Sequence, residues 1–276
     1  MSERVVDRRI SLNSLSTASW SLAQDLDLCR RLGVSSIALY LSKLDADPDG
    51  VARIGDADVH VSQVFTRGMT LYDETCWPAE RDYLLAGVET AAALDAPWLG
   101  LTAGAAGAME WDDAVDALVR ALEPVARAAR ARGIGVAIEH TLPTRVEVGF
   151  IQSLADCVEV AQQLGLGATM ELNYCFRERR LDETIAAAVA ADVLAVVQVC
   201  DLVPPSTTVP DRAAIGDGVI PVRRIVNALL DHGYRGPFEI EILGPRVEED
   251  GYEPVLTRSV EALDAILMND RLRRRT

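Results

Sequence analysis

Residues 169–200 read TMELNYCFRERRLDETIAAAVAADVLAVVQVC, and this stretch holds the pattern that decides the fold. Two short apolar runs, Thr169–Asn173 and Ala195–Cys200, have the length and composition of buried strands. Between them, Leu181–Ala190 has the length and the apolar spacing of an amphipathic helix. A strand, a helix and a second strand in this order predict two parallel strands joined by a helical crossover.

The same unit recurs along the whole chain. The predicted strands are Ile10–Leu15, Ser36–Leu41, Val59–Phe65, Trp98–Thr102, Gly135–Glu139, Thr169–Asn173, Ala195–Cys200 and Phe238–Leu243. The predicted helices are Leu22–Leu32, Glu80–Leu94, Trp111–Arg130, Ser153–Leu164, Leu181–Ala190, Val222–His232 and Glu253–Leu267. Only the connection after the second strand shows no clear helix, because Asp45, Pro48 and Gly50 interrupt it.

Eight strands that alternate with helices favour a closed barrel over an open doubly wound sheet. The length of 276 residues agrees with this, because a barrel of this type takes roughly 250 residues. We therefore predict an α/β protein with a (β/α)8 TIM barrel fold. We expect residues 1–276 to form a single domain with a short basic C-terminal tail at residues 271–276.

Charge and composition exclude several classes of protein. The sequence has 42 acidic and 27 basic residues, and the net charge of −15 argues against binding to nucleic acid or to an anionic membrane. The five cysteines are far apart and form no CxxC pair, so we expect reduced thiols. No signal sequence or run of 18 apolar residues is present, which predicts a cytoplasmic protein.

Acidic and amide side chains occur at the ends of four successive predicted strands. They are Glu139 in the fifth, Glu171 in the sixth, Gln198 and Asp201 in the seventh, and Glu239 and Glu241 in the eighth. The carboxyl ends of barrel strands meet at one face, where barrel enzymes have their active sites. Buried carboxylates need a partner, and an oxygen-rich set suits Mg, Mn or Co better than zinc. Strand alternation does not choose between Glu239 and Glu241, which face the same way.

The chain resembles the xylose-isomerase-like TIM barrels known as sugar phosphate isomerases/epimerases. The resemblance runs nearly end to end, and its most specific elements are QVCD at residues 198–201 and GDGVIP at residues 216–221. Further matching stretches are ISLNSLS at 10–16, ALYLSK at 38–43, HVSQVFTRG at 60–68, AIEHTLP at 137–143 and GYRGPFEIEI at 233–242. The resemblance implies a divalent metal held by Glu139, Glu171, Gln198 and Glu241.

Three positions depart from the usual pattern of that family. Glu171 stands where aspartate is usual, and Gln198 stands where many members have histidine. Gln198 matches the variant seen in barrels that resemble 3-dehydroshikimate dehydratases. In the fifth strand, His140 follows Glu139 directly, whereas related sequences place a histidine three positions after the glutamate.

The resemblance also implies roles for individual side chains. Glu139 and Glu241 are the expected catalytic acid and base as well as metal ligands, and a ligand-only role for both is the alternative. Lys43, the only lysine of the chain, is a candidate proton donor or substrate ligand, with an exposed loop lysine as the alternative. Arg212, with Asp201 and His140, is a candidate substrate-binding residue. The alternatives are an internal ion pair with Asp211 or Asp217 for Arg212 and a buried structural role for His140.

These observations predict a metal-dependent enzyme that acts on a small sugar-like or polyol-like molecule. The leading interpretation is an isomerase or epimerase that transfers a proton next to a carbonyl or hydroxyl. A lyase that dehydrates a keto-polyol, such as an inosose or dehydroshikimate dehydratase, starts from the same proton abstraction and is the alternative within enzymes. The alternative outside enzymes is a non-catalytic barrel whose metal site has decayed. Assembly into homo-oligomers is left open.

Overall fold

The eight strands of the chain form one closed parallel sheet. The computed structural model describes residues 6–273, with the backbone alone described for residues 271–273. Each strand pairs in parallel with the next in the chain, and the first also pairs with the last. The strands are β1 Ile10–Asn13, β2 Ser36–Tyr40, β3 His60–Thr66, β4 Trp98–Thr102, β5 Gly135–Glu139, β6 Gly167–Glu171, β7 Leu194–Val199 and β8 Phe238–Ile240. The predicted (β/α)8 TIM barrel is confirmed.

Helices connect the strands and cover the outside of the barrel. They are α1 Leu22–Leu32, α2 Leu41–Asp45, α3 Gly50–Gly55, α4 Trp77–Ala93, α5 Trp111–Ala131, α6 Leu154–Leu164, α7 Leu172–Cys175, α8 Leu181–Ala190, α9 Val222–Asp231, α10 Pro245–Asp250 and α11 Tyr252–Arg273. Local sequence sets their ends. Helix α1 begins after Ser21, which forms a capping box with Gln24, and ends at Gly33, which has a φ of 69°.

Three predicted strands end two or three residues earlier than expected at the face where the site is expected, namely β1 at Asn13, β6 at Glu171 and β8 at Ile240. Strand β1 ends at Asn13, because the Asn13 side chain accepts a hydrogen bond from Leu15 N and begins a 3₁₀ helix over Ser14–Thr17. Strand β6 ends at Glu171, whose carboxylate accepts from Asn173 N in the same way. The chain therefore turns away at the strand ends and leaves both polar side chains buried there.

The connection after β2 contains two short helices that the sequence pattern did not indicate. Helices α2 and α3 have five and six residues. Each is shorter than two helical turns, so neither can display a periodic apolar face.

Strand register places the polar side chains of neighbouring strands side by side. Glu171 of β6 pairs with Gln198 of β7, and Gln198 pairs in turn with Glu239 of β8. Glu241 follows two residues later, and its backbone N–H donates to Val199 O. The predicted oxygen groups of these three strands are thus adjacent because of the register.

Two predictions concern parts of the chain that the structure describes only in part. The basic tail at 271–276 begins inside α11, and residues 274–276 lie outside the described residues. Residues 1–5, which belong to the segment examined for a signal sequence, also lie outside them. The single-domain extent over 1–276 therefore stays a prediction. Within residues 6–273, no helix has both the length and the apolar character needed to cross a membrane.

The lower part of the barrel depends on glycine beside the Trp98 ring. A Cβ atom built on Gly135 would overlap that ring. Gly135 pairs directly with Trp98 in the sheet, so the overlap is relieved only if the ring rotates or the β4–β5 ladder shifts. Interiors are close-packed, and they do not accept an added methyl without distortion.

We predict that Gly135→Ala lowers the free energy of unfolding by about 1–3 kcal/mol through overpacking. The matched control is Gly55→Ala, because no other atom lies within 4 Å of a Cβ at Gly55. Urea unfolding followed by circular dichroism measures both variants. Equal stability of Gly135→Ala and Gly55→Ala would show that the Trp98 contact does not limit this position.

Candidate active site

The carboxyl ends of the strands hold a connected group of buried polar side chains. Glu241 is at its centre and is 5% exposed. Its Oε1 accepts from Arg212 Nη1 at 2.6 Å, and its Oε2 accepts from Gln198 Nε2 at 2.6 Å and Asn13 Nδ2 at 3.0 Å. The sequence pattern grouped Glu241 with Gln198 but gave no indication of Asn13, which ends β1 and is 228 residues away.

Arg212 lies inside the structure rather than over the mouth of the barrel. It is 1% exposed, and its Nη1 also lies 3.2 Å from Glu171 Oε2. The same nitrogen donates to the backbone oxygen of Glu241 at 3.0 Å, and Nη2 donates to Tyr174 Oη at 3.1 Å. Arg212 does form an internal ion pair, but with Glu171 and Glu241 rather than with the expected Asp211 or Asp217, and Asp217 pairs with Arg258 instead. Direct contact between Arg212 and a substrate stays a prediction.

Glu139 differs from the other carboxylates because it is half-buried and no donor in the described residues binds it. Burial raises its pKa well above the usual value, and the nearby charges of Glu241 and Glu171 raise it further. Burial also raises the pKa of Glu171 to about 7, although Arg212 opposes this shift. Glu139 is therefore a half-buried carboxyl group that has no hydrogen-bond donor among the described residues and whose pKa is raised above that of a surface glutamate.

Glu239, two residues before Glu241, has a different set of hydrogen-bond partners. It is completely buried and accepts from Ser62 Oγ and Gln63 Nε2, each at 2.8 Å. Asn13 Nδ2 lies 3.4 Å from Glu239 and thus connects the two glutamates. Burial raises the pKa of Glu239 to about 7, although its hydrogen bonds oppose the shift. Of the two glutamates of the eighth strand, only Glu241 contacts Arg212 and Gln198.

The chemistry of the group fits a hard divalent cation. Three carboxylates and one carboxamide supply the oxygen atoms that Mg²⁺ and Mn²⁺ prefer. Two acceptors in this set, Glu171 Oε2 and Gln198 Oε1, are buried without a hydrogen-bond donor. Within residues 6–273, however, no three Asp, Glu, His or Cys side chains are grouped closely enough to hold an ion as they stand.

Lys43 is not connected to the carboxylate group. Its ammonium donates to the backbone oxygens of Ser14 and Thr17 at 3.1 and 2.8 Å, and to Asp25 Oδ2 at 2.5 Å. These partners tie the 3₁₀ helix to α1. Lys43 also lines a groove of about 540 Å³ beside Trp20. Its catalytic role stays a prediction, and it would require release from Asp25.

Asp201 holds the loop that carries Arg212. It is 1% exposed, and its carboxylate accepts from the backbone N–H groups of Leu202, Gly216 and Ile220 at 2.8–3.0 Å. Its backbone pairs with Ala213, the residue after Arg212. All of these contacts are internal. A role for Asp201 in binding substrate stays a prediction, and the geometry favours a role in fixing the loop.

His140 is completely buried between the barrel and its helices. Its Nε2 accepts from Glu171 N at 3.3 Å, and its Nδ1 has no hydrogen-bond partner among the described residues. Burial lowers the pKa of His140 to about 3, so the ring is neutral. The structural alternative expected for this residue matches its position, and direct contact with substrate stays a prediction.

We predict that His140 makes the fold sensitive to acid. The unfolded chain binds a proton at this histidine near pH 6.5, whereas the folded state does so only near pH 3. Stability present above pH 6.5 is therefore lost as the pH falls, by about 2 kcal/mol at pH 5. His140→Gln, which keeps an acceptor for Glu171 N, should lose less stability between pH 7 and pH 5 than the original protein.

The control for this prediction is His232→Gln at an exposed position. Urea unfolding at pH 7 and pH 5 gives the free-energy difference for each protein. The same pH dependence in the His140→Gln and His232→Gln variants would contradict the prediction.

The sequence also matches a known family over most of its length. The sequence model of the xylose isomerase-like TIM barrels matches residues 23–266. The chain belongs to this family. No curated protein gives a significant sequence match.

Solved structures share the same barrel. A protein of Sinorhizobium meliloti 1021 has a TM-score of 0.80 and 22% identity, with 92% of this chain and 96% of that chain covered. The IOLI protein, described with a bound zinc atom, has a TM-score of 0.81 and 15% identity over 94% and 98% of the chains. An L-ribulose 3-epimerase has a TM-score of 0.77 and 17% identity over 96% of both chains. At sequence identities of 15–22%, these similarities show that the chain shares the fold of these proteins.

Proposed function

We propose that the chain is a divalent-metal-dependent isomerase or epimerase that transfers a proton next to a carbonyl or hydroxyl of a small sugar-like substrate. The observation that carries the proposal is Glu139. It is the half-buried carboxyl group at the strand ends, it has no protein donor in the described residues, and its pKa is raised by burial and by two neighbouring glutamates. A general base needs this combination of access and raised pKa.

The second carboxylate of the proposed pair is Glu241. Its Oε2 accepts from Gln198 Nε2 and Asn13 Nδ2, so its position is fixed. A fixed carboxylate and a free one, at the ends of β8 and β5, suit proton removal on one side of a substrate and proton return on the other. An epimerase needs two such groups, whereas a lyase needs only the first step and departure of a hydroxyl.

The proposed ligands of the divalent ion are Glu139, Glu171, Gln198 and Glu241. Such an ion would stabilise negative charge that develops on a substrate oxygen during proton removal. The zinc atom of the IOLI protein and the sugar in the name of the L-ribulose 3-epimerase support a metal and a sugar-like substrate for this chain. Mn²⁺, Mg²⁺ and Co²⁺ are the ions that the oxygen-rich set favours.

We predict that Glu139→Gln lowers the rate of proton exchange by a factor of about 10²–10⁴ while the fold stays intact, because the amide cannot accept the proton. The protein is incubated in D₂O with Mn²⁺ and with L-ribulose or 2-keto-myo-inositol as probes. Nuclear magnetic resonance then measures deuterium entering one C–H position. The matched control, Glu147→Gln, removes an exposed carboxylate from the same β5–α6 connection and should exchange at the original rate.

The products of the same incubation distinguish the two enzyme classes. An epimerised or isomerised sugar supports the proposal, and loss of water from the keto-inositol supports the lyase instead. A chelator should abolish exchange in either case. Turnover without deuterium incorporation, or full exchange by Glu139→Gln, would contradict the proton-transfer role of Glu139.

A further inference from the structure

A guanidinium group is bound to two of the four proposed metal ligands. Arg212 Nη1 lies 2.6 Å from Glu241 Oε1 and 3.2 Å from Glu171 Oε2. Both carboxylates come from strand ends, and all three side chains are at most 6% exposed. The positive charge that these two carboxylates need in a buried environment is therefore already supplied by the chain itself.

The same two carboxylates would bind both Arg212 and a metal ion. An ion such as Mg²⁺ lies at about 2.1 Å from each ligand oxygen. An ion that used Glu241 Oε1 would share that oxygen with Arg212 Nη1, which already donates to it at 2.6 Å. Two positive charges held on one carboxylate repel each other strongly where water is excluded.

The backbone of Arg212 is fixed, but its side chain keeps one hydrogen-bond donor without an acceptor. Its backbone N–H donates to Leu243 O, and the next residue pairs with Asp201, so the loop is fixed. The side chain, however, leaves Nε buried without an acceptor. Unsatisfied buried donors and acceptors destabilise a structure. The guanidinium thus lies between the two carboxylates while one of its own N–H groups has no acceptor.

We propose that Arg212 is the resident cation of the site and competes with the divalent ion for Glu171 and Glu241. The ion binds when the guanidinium leaves these carboxylates, so Arg212 sets the affinity for the ion. This inference rests on the ion site of the proposed function and adds to it a residue that controls whether the ion is bound.

The test is the affinity for Mn²⁺, measured from the electron paramagnetic resonance signal of the free ion. Arg212→Gln should lower the dissociation constant at least tenfold, because it removes the competing cation. Arg177→Gln removes one positive charge from an exposed position just beyond α7 and is the matched control. It should bind Mn²⁺ within twofold of the original protein.

A second variant separates direct competition from net charge and covers a failure of Arg212→Gln to fold. Arg212→Lys keeps the charge, but its single ammonium cannot reproduce the contacts of the fork to Glu171, Glu241 and Tyr174. We expect it to bind Mn²⁺ at least threefold more tightly than the original protein. An affinity equal to that of the original protein would overturn the proposal.

The outcomes also separate this inference from the proposed ion site. If the original protein and the Arg212 variants bind one Mn²⁺ with equal affinity, the competition is wrong and the ion site stands. If none of the folded proteins binds Mn²⁺, both the competition and the ion site are wrong.

Discussion

The guanidinium of Arg212 lies between Glu171 and Glu241 in a part of the barrel with almost no solvent access. Around this arginine, Glu139, Glu171, Glu239 and Glu241 would carry four negative charges if all were ionised. One buried positive charge cannot balance four, so burial and mutual repulsion raise the pKa values of Glu139, Glu171 and Glu239. The chemistry of the site follows from this excess of negative charge, which protons, a divalent ion or both could neutralise.

The scaffold holds this arrangement through contacts outside the carboxylate group. The hydrogen bonds of Asp201 fix the loop from which Arg212 enters the barrel. A Cβ atom on Gly218 would overlap the Asp201 carboxylate and the backbone of Leu202, which explains a glycine at that turn. Fold and site are therefore coupled, because the residues that order the loop also place the charge that the glutamates need.

The alternation of strands and helices and the four strand-end oxygens could be predicted from the sequence. Both depend on short-range patterns and on the rule that parallel strands end at one face. The partners of Arg212 could not be predicted from the sequence. Glu171, Glu241 and Tyr174 lie 29–41 residues away along the chain, and they meet Arg212 only in the closed barrel. Asn13 and the helices α2 and α3 were also missed. Asn13 is a single polar residue at a strand end, and the helices are too short to show a period.

The central claim is that the strand-end oxygens around Arg212 form a cation site. Anomalous diffraction from crystals soaked in Mn²⁺ tests it most directly, because the scattering identifies the ion and its position together. We expect one strong anomalous peak among the side chains of Glu139, Glu171, Gln198 and Glu241. A fully soaked crystal with no peak at these strand ends, or with its peak elsewhere in the molecule, would contradict it.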